Sequence, residues 1–586
     1  MTPTELGPGI SRCVHLTYDS HADSTEILKK TALVERSFLI LCFTSGLLQV
    51  WISRYAMISD GVSYLDVGDA YFRHNWSTAI NGYWSPMYSW CLGLALYVFK
   101  PSLRWEFIIV HLVNFVIYLA ALLCFRFFLY SVLRAVREQA AECAEGPVPL
   151  PDWVLLGLGY SVFLWASLVL IDPGLVTPDL LVAAIVFLIG GCLVELRVHE
   201  SYGKFAIFGV LCGAAYLGKA IMFPLGFGFL GILLLSGRWS KRRICGVLLS
   251  ALLFLTVSSP FIAALSKQKG RLTFGDSGRL NYASLVNPGA PQVHWHGEPV
   301  GSGTPRHTTR QVLENPPVYE FAEPVAGTYP PWYDPSYWNE GVRGTFRLRS
   351  QVRVLVQSAL SYTKLLASQL GLLAGVLTFV LWGGVPTRRA IVSNWPLIAA
   401  AGLSIGLYSL VLVRPRYIGA SLVLLTLGIL AGIRLPKTDQ FSPVTKHLTA
   451  AIIATILFSV VAHVAETAYK TMTVDGYPSE RDQLEAAVGL QSLGLTPGDK
   501  VAVIGDGSFA IWARLARLKI VSEVSSLEPG NRGFWASSWE RRSLVYQKLR
   551  DTGAIVVVVW SPPTNGVDPG WRRVANTNYY AHFLSK

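Results

Sequence analysis

The chain has few charged residues for its length. Asp, Glu, Lys and Arg make up 15% of its 586 residues, whereas soluble globular domains carry about a quarter. Hydrophobic residues make up 52%. This composition excludes an ordinary soluble protein of this length and indicates a polytopic α-helical membrane protein.

Cysteine is missing from the large polar regions. The last of the eight cysteines is Cys245, so neither the loop 266–353 nor the tail 469–586 has one. A disulfide framework needs paired cysteines in such regions, and no CxxC spacing suggests a zinc site. We interpret the cysteines as small apolar residues within helices.

A nucleotide-binding loop is also missing. The chain has no GK[ST] sequence, and "VIGDGSFA" (503–510) follows a strand pattern but lacks the full GxGxxG spacing. We interpret this stretch as a tight strand-to-helix turn, with nucleotide binding as the minor alternative.

Long apolar runs recur along the chain. A helical membrane span needs about 20 predominantly apolar residues. The sequence predicts about eleven spans, at 37–55, 107–130, 152–171, 179–196, 205–219, 221–237, 244–263, 364–382, 394–412, 417–433 and 448–466.

The basic residues predict the orientation of these spans. The net charge of +13 does not indicate nucleic-acid binding, because the cations cluster at the ends of apolar runs. Under the positive-inside rule these ends are cytoplasmic, and so is the N-terminal segment 1–36. That segment contains Asp19, Asp23 and Glu26, unlike a secretory signal peptide. The first span is therefore expected to be retained.

Three polar regions are then expected outside the cytoplasm. They are the loops 56–106 and 266–353 of the transmembrane domain 37–466, and the tail 469–586. In the tail, "DKVAVIG", "LKIVSEV" and "GAIVVVVW" have strand patterns separated by helical ones. This alternation predicts an extracytoplasmic α/β accessory domain with a parallel sheet.

The stretch after the first span, "ISDGVSYLDVGDAYFRHNW" (58–76), is rich in acids. Asp60 follows the end of the span, where a carboxylate is suited to take a proton. On a helix, Asp66 and Asp69 would share one face. The alternative is an interfacial helix with a solvated acidic face.

With "SPMYSW" (85–90), this block resembles the first external loop of GT-C fold glycosyltransferases, the group that includes protein O-mannosyltransferases and the lipid A aminoarabinose transferase. Motifs of the types D-E-x-x-Y and K-P-P-L-Y-Y-W occur there. Asp60 matches the first acid, Tyr64 the tyrosine, and "SPMYSW", with Tyr88, the second motif. Gly61 replaces the second acid, and the lysine before the proline is absent.

Three further segments extend the resemblance. Asp179 in "IDPGLVTPDLLVA" (171–183) matches an acid that begins a helix in the family; the alternative is an acid favoured by the helix dipole. Lys219 in "GAAYLGKAIMFPL" (213–225) is expected at the outer membrane face, either on a lipid phosphate or snorkelling to the surface. "LVRPRYIGAS" (412–421) places Arg414, Arg416 and Tyr417 at the outer end of a span, as phosphate ligands or interfacial anchors.

The resemblance implies an inverting membrane glycosyltransferase in the inner (plasma) membrane. It would move a hexosyl or pentosyl unit from a polyprenyl-phosphate donor to a hydroxyl of a lipid, glycan or protein acceptor. Asp60 is the implied general base. The implied groups for substrate are Tyr64, Asp66, Asp69, Tyr88 and Asp179, and those for the donor phosphate are Lys219, Arg414, Arg416 and Tyr417.

No cofactor or nucleic-acid partner is predicted, and a divalent metal is left open. His294, His296 and His307 give only a weak metal signal, because no acid accompanies them at ligand spacing. Two other functions stay open. A transporter or flippase of a lipid-linked saccharide should show inverted repeats and broken helices, and a non-catalytic membrane assembly subunit would explain the missing second acid.

Overall fold

The structure is a computed structural model that describes residues 9–141, 146–287, 289–321, 324–473, 479–525, 530–563 and 568–584. The first part of the chain is almost entirely helical. Its elements are α1 (Gly9–Ile52), α2 (Ser59–Phe72), α3 (Trp76–Ala79), α4 (Pro86–Phe99), α5 (Glu106–Ala141), β1 (Val148–Pro149), α6 (Asp152–Leu164), α7 (Asp179–Val198), α8 (Tyr202–Gly218), α9 (Met222–Leu235) and α10 (Lys241–Lys269). A π-helical segment, Trp165–Ile171, extends α6.

The next part combines a loop of short elements with further long helices. Its elements are α11 (Ser277–Asn281), a π-helical turn (Tyr282–Val286), β2 (Arg310–Leu313), β3 (Val318–Glu320), α12 (Pro330–Tyr333), α13 (Pro335–Trp338), α14 (Leu348–Ala367), α15 (Leu370–Ser393), α16 (Trp395–Ser409), α17 (Pro415–Leu430), β4 (Arg434–Leu435) and α18 (Pro443–Thr473).

The tail alternates helices and strands. Its elements are α19 (Glu480–Ser492), β5 (Lys500–Ile504), a 3-10 turn (Gly507–Phe509), α20 (Ile511–Leu515), β6 (Lys519–Val524), α21 (Gly530–Ala536), α22 (Trp539–Asp551), β7 (Val556–Trp560), β8 (Trp571–Arg573) and β9 (Tyr579–Phe583).

Each of the eleven predicted spans coincides with an apolar helix. Seven helices in the described part of the chain are long and apolar enough to cross a membrane: Lys29–Ile52, Glu106–Ala141, Asp152–Ile171, Asp179–Val198, Lys241–Lys269, Leu370–Ser393 and Pro443–Thr471. The other four predicted spans fall on the shorter helices α8, α9, α16 and α17. The span expected from residue 364 begins at Leu370, because a separate helix, α14, ends at Ala367.

Helix α7 is one of the two most buried helices of the membrane part. Of its most apolar stretch, 83% is buried, and it packs against α5. At this contact, a methyl group added to Gly191 would lie 2.5 Å from the Phe127 ring. Small residues let helices approach closely in a membrane, where packing rather than water expulsion drives association. The bare glycine therefore sets the spacing of this pair.

The tail strands form part of a seven-stranded sheet with the order β2-β3-β6-β5-β7-β9-β8. Strands β6, β5 and β7 are parallel, as the alternating pattern predicts. The other pairings are antiparallel. Strands β2 and β3 come from the loop 266–353, and Val318 of β3 lies opposite Val524 of β6. Loop and tail therefore share one sheet.

Helix α2 lies between this loop and the tail. The Ser63 hydroxyl donates to the Trp332 carbonyl at 3.0 Å, and the Ser59 hydroxyl donates to the Ser508 carbonyl at 2.9 Å. The three polar regions of the chain thus meet at α2, which carries the acidic motif.

Candidate active site

The acids of α2 point to two sides of the helix. Asp60 and Tyr64 are four residues apart and therefore share one face, whereas Asp66 and Asp69 lie on the other side of the helix. Asp60 lies in the first turn, where the helix dipole favours an acid. Each side carries its own ionic cluster.

The first cluster, called the membrane cluster, consists of Asp60, Asp179, Lys219 and Arg416. Arg416 Nη2 lies 3.1 Å from Asp60 Oδ2. Arg416 Nε lies 3.5 Å from Asp179 Oδ2. Lys219 Nζ donates to Asp179 Oδ1 at 2.5 Å. Two carboxylates and two cations are thus joined in one chain of contacts with no net charge.

The cluster is assembled from the ends of four helices. Asp179 begins α7 directly after Pro178, and Lys219 directly follows the end of α8. Arg416 lies in the first turn of α17. Charges near the membrane interior are costly unless they are paired, so their convergence explains how this chain tolerates them. The side chains of Asp60, Lys219 and Arg416 stay 20–22% exposed.

An aromatic ring completes the cluster. Lys219 Nζ lies 3.6 Å from the centre of the Tyr417 ring, a cation–π distance. A cavity of about 20 Å³ borders Asp179, Lys219 and Tyr417. That volume suits a single water molecule. The cavity beside the two cations is therefore too small for a phosphate group in this arrangement.

The other predicted residues near this cluster have different surroundings. The Tyr64 ring packs edge-on against Trp84 and Tyr88, with centroid distances of 5.1 Å and 5.3 Å. Burial, with the nearby Asp60 charge, raises the pKa of Tyr64 well above its ordinary value, so its hydroxyl stays protonated.

Two predicted residues lie apart from these ion pairs. Arg414 is exposed and precedes α17 as its N-cap residue. Tyr88 is fully buried, and its hydroxyl donates to Asn114 Oδ1 at 2.6 Å. A direct contact of either residue with substrate stays a prediction.

The second cluster, called the tail cluster, consists of Asp66, Asp69, Glu106, Arg514 and Arg517. Arg514 Nη1 donates to Asp66 at 2.6 Å and to Asp69 at 2.7 Å, and its Nε donates to Glu106 at 2.9 Å. Arg517 also binds Asp69 and Glu106, at 2.8 Å and 2.6 Å.

The tail cluster has a buried centre and a partly exposed edge, where the side chains of Asp69 and Arg517 are 21% and 31% exposed. The side chains of Arg514 and Glu106 are only 3% and 1% exposed. Burial pushes the pKa of Asp69 upward, but the charges of Arg514 and Arg517 outweigh it and hold that pKa below its ordinary value. The cluster therefore fastens α20 of the tail to α2. That Asp66 and Asp69 position substrate stays a prediction; they also border a cleft of about 680 Å³.

Two of the three histidines of the loop 266–353 each pair with one acid. His294 lies buried against Glu523 of the tail, and His307 lies 3.2 Å from Glu340. Within the described residues, no group of three or more His, Cys, Asp or Glu side chains is placed to hold a metal ion.

This fold defines a multi-pass membrane protein of the GT-C type. The chain is similar to the crystal structure of ArnT, the lipid A aminoarabinose transferase, from Cupriavidus metallidurans in the apo state, with 13% identity, a TM-score of 0.51 and coverage of 94% of this chain and 98% of that chain. The predicted GT-C fold is thereby confirmed.

Two further structures have lower TM-scores. One is ArnT from the same organism bound to undecaprenyl phosphate, with 14% identity, a TM-score of 0.44 and coverage of 94% and 98% of the two chains. The other is the Archaeoglobus fulgidus oligosaccharyltransferase tethered to an acceptor peptide, with 12% identity, a TM-score of 0.43 and coverage of 89% and 68%. No protein-family model and no curated protein matches the chain.

Sequence reasoning missed the partners of Asp66 and Asp69. Arg514 and Arg517 lie more than 440 positions away, and neither lies in a motif. Glu106 appears only in "RWEF", at the start of a span. The one available signal was the spacing of Arg514 and Arg517, which lie three positions apart at the end of a short helix.

Proposed function

We propose that this protein is a membrane glycosyltransferase that moves a sugar from a polyprenyl-phosphate donor to an acceptor hydroxyl. The observation that carries the proposal is the membrane cluster, in which Asp60 and Arg416 are paired 3.1 Å apart. One carboxylate next to two cations provides the groups that such a transfer needs: a proton acceptor and a binding site for the leaving phosphate.

Asp60 is the proposed general base. Its carboxylate takes the proton of the acceptor hydroxyl as the hydroxyl oxygen bonds to the anomeric carbon. The bond from that carbon to the phosphate oxygen breaks, and its electron pair leaves with the polyprenyl phosphate. Attack opposite the leaving group inverts the anomeric configuration.

Lys219 and Arg416 are the proposed ligands of the leaving phosphate. Both already bind carboxylate oxygens in this structure, and phosphate oxygens present the same kind of acceptor. Cations positioned where negative charge develops stabilise the transition state. Tyr417 would keep the Lys219 ammonium in place, and Arg414 would meet the donor from the exposed end of α17.

A single acid on α2 is sufficient in this arrangement. The family's second acid is replaced by Gly61, where an added side chain would come within 2.6 Å of Met57 Sδ and 2.8 Å of Val176. There is no room for an acid at this position. Asp179 provides the second carboxylate instead, through Arg416, and we assign it and Tyr64 to substrate positioning.

The proposed location is the plasma membrane, with the cluster on the extracytoplasmic side. The Lys and Arg residues that cluster at the opposite ends of the spans support this orientation, because the positive-inside rule places such ends in the cytoplasm. The donor would carry a hexosyl or pentosyl unit, and the acceptor would be a lipid, a glycan or a protein. Neither nucleic acid nor a nucleotide sugar is required at this site.

The test is transfer by the purified protein in lipid vesicles. Polyprenyl-phosphate sugars are supplied with candidate acceptors, and wild type is compared with Asp60→Asn. We expect Asp60→Asn to reduce transfer by about 10²–10⁴-fold, the usual contribution of a general base. Asp152→Asn, at the start of α6 and paired with Arg137, is the matched control and should leave transfer unchanged.

Transfer that survives Asp60→Asn would refute the role of Asp60 as base. The vesicles also test the transporter alternative, because movement of the lipid-linked sugar across the bilayer without a new glycosidic bond would favour a flippase.

A further inference from the structure

The tail contains a crevice that the proposed transfer does not use. It lies at the carboxyl ends of the parallel strands β5 and β7 and has a volume of about 420 Å³, within the range of 300–1,000 Å³ that is typical of ligand pockets. Ile504 and Gly505 border it from β5, and Val559 and Trp560 border it from β7.

The strand order makes this position a topological switch point. The chain runs from β5 to β6 on one side and then returns to place β7 on the other side of β5. In open α/β sheets, ligands bind outside the carboxyl ends of the strands where the order reverses. Gly505, with φ of +130°, turns the chain sharply away after β5 and leaves the crevice open.

Five aromatic residues border the crevice. They are Tyr55, Phe509, Trp512, Trp560 and Tyr579. Two buried polar atoms in the wall, Trp560 Nε1 and Asn531 Oδ1, have no hydrogen-bond partner among the described residues. Buried polar groups are normally paired, so one unused donor and one unused acceptor indicate a polar ligand.

The charges of the wall exclude an anionic ligand. Glu480 and Asp506 border the crevice, and no Lys or Arg does so within the described chain. A phosphate would meet two acids and no cation, which disfavours the nucleotide suggested by the glycine turn. Burial, opposed by Arg54, raises the pKa of Glu480 to about 7, so near neutral pH this carboxyl both donates and accepts hydrogen bonds.

Aromatic faces combined with uncharged donors and acceptors suit a saccharide. Its C–H faces stack on rings that carry a polar edge, and its hydroxyls pair with amide, indole and carboxyl groups. The crevice also reaches the segment that leads into helix α2, because Tyr55 and Met57, five and three residues before Asp60, border it. Ser508, in the turn that forms one wall, accepts the hydrogen bond from Ser59, the residue before Asp60.

We infer that this switch-point crevice binds a neutral saccharide segment of the acceptor and thereby holds a glycan chain beside Asp60. This inference rests on the proposed function and narrows its acceptor to a glycan. Lipid and protein acceptors that carry no sugar have no group for this crevice to bind.

The test is saccharide binding to the full-length protein in detergent, measured by saturation-transfer NMR and calorimetry. The probes are neutral disaccharide methyl glycosides of glucose, galactose, mannose and arabinose, with adenosine monophosphate for comparison. We expect at least one disaccharide to bind wild type, and Trp560→Ala and Glu480→Gln to weaken that binding by about tenfold, or 1.4 kcal/mol.

Each variant has a matched control. Trp539→Ala removes a tryptophan of the same domain that is 50% exposed, and Glu485→Gln removes an acid from the same helix that pairs with Arg481 on the surface. Both should bind the disaccharide as wild type does. Melting temperatures measured in parallel identify any variant that has lost its fold. If Trp560→Ala is unfolded, Glu480→Gln is used as the test variant.

The inference is overturned if no disaccharide binds, if the monophosphate binds in its place, or if the control variants lose binding equally. Asp60→Asn separates this inference from the proposed function. We expect it to bind the disaccharide normally while losing transfer. Asp60-dependent transfer without saccharide binding would refute only the inference that the crevice binds a saccharide. Saccharide binding without any transfer would refute only the proposed glycosyltransferase function.

Discussion

The two ionic clusters of α2 differ in the burial of the arginine that joins their acids, Arg416 at 20% and Arg514 at 3% exposed, and in the parts of the chain that they join. The membrane cluster balances two acids with two cations, and three of its four side chains are 20–22% exposed. The tail cluster surrounds two arginines with three acids and excludes solvent from Arg514 and Glu106. Both depend on the same fourteen-residue helix.

This difference distinguishes the membrane cluster, which we propose as the active site, from the tail cluster, which holds the tail against α2. Arg514 is buried against three carboxylates, and it cannot exchange these partners without leaving an unpaired buried charge, which is costly. We propose that Lys219 and Arg416 of the membrane cluster, which are partly exposed, can instead exchange a carboxylate for a phosphate. The comparison can be tested by changing one cluster and measuring both stability and transfer.

The largest expected effect on stability comes from Arg514→Met. The change leaves Asp66, Asp69 and Glu106 with one arginine, and breaking a buried pair costs about 3–5 kcal/mol. We expect a lower melting temperature in detergent and faster proteolytic release of the tail. The control is Arg481→Met, which changes a side chain that is 81% exposed. Equal shifts of the melting temperature in both variants would show that the tail cluster does not stabilise the docked tail.

Among the cations of the two clusters, Arg416→Gln has the largest expected effect on transfer. It removes the cation that joins Asp60 and Asp179, and the loss of one charge-stabilising group costs about 10²–10³-fold in rate. Steady-state transfer measures this effect, and the melting temperature should change little. Arg414→Gln, two residues earlier and exposed, should lower transfer less; the reverse order would move the phosphate site to Arg414.

A smaller effect is expected from acid pH. Because the pKa of Asp69 lies below its ordinary value of 3.8, its ionised form stabilises the docked tail at pH values above that value. This stabilisation is lost as the pH falls through the lowered pKa. Release of the tail by an acid-active protease should therefore increase below about pH 4. In Arg514→Met, release of the tail should depend less on pH. An unchanged pH dependence in that variant would contradict the role of the Asp69 carboxylate.

The smallest expected effect comes from Tyr88→Phe. The change removes one buried hydrogen bond to Asn114 and keeps the ring, which costs about 1 kcal/mol. We expect a slightly lower melting temperature and normal transfer. Strongly reduced transfer at an unchanged melting temperature would instead place Tyr88 against the substrate.

Features that depend on neighbouring residues could be predicted from the sequence. Apolar length located eleven apolar helices in the part of the chain that the structure describes, seven of them long enough to cross a membrane, and alternating patterns located β5, β6 and β7. The spacing of Asp66 and Asp69 placed them on one helix face, and in the structure both accept hydrogen bonds from Arg514. The resemblance also brought Asp179, Lys219 and Arg416 into one expected site, and the structure joins these three side chains to Asp60.

Features that depend on distant partners could not be predicted. Strand β3 has three residues, too few for a clear pattern, and its partner β6 follows about two hundred positions later. Asp66 and Asp69 looked like groups for substrate because a sequence does not show which residues face them. Arg414 and Arg416 looked equivalent, yet one is an exposed N-cap residue and the other turns inward.

The most direct test of the central claim is the affinity for polyprenyl phosphate itself, the lipid that the proposed reaction releases. Binding to wild type, Lys219→Met and Arg517→Met is measured in nanodiscs. We predict that Lys219→Met weakens binding by about tenfold or more, while Arg517→Met, in the tail cluster, binds as wild type does. Equal affinity of Lys219→Met and wild type would contradict the assignment of the membrane cluster as the phosphate site.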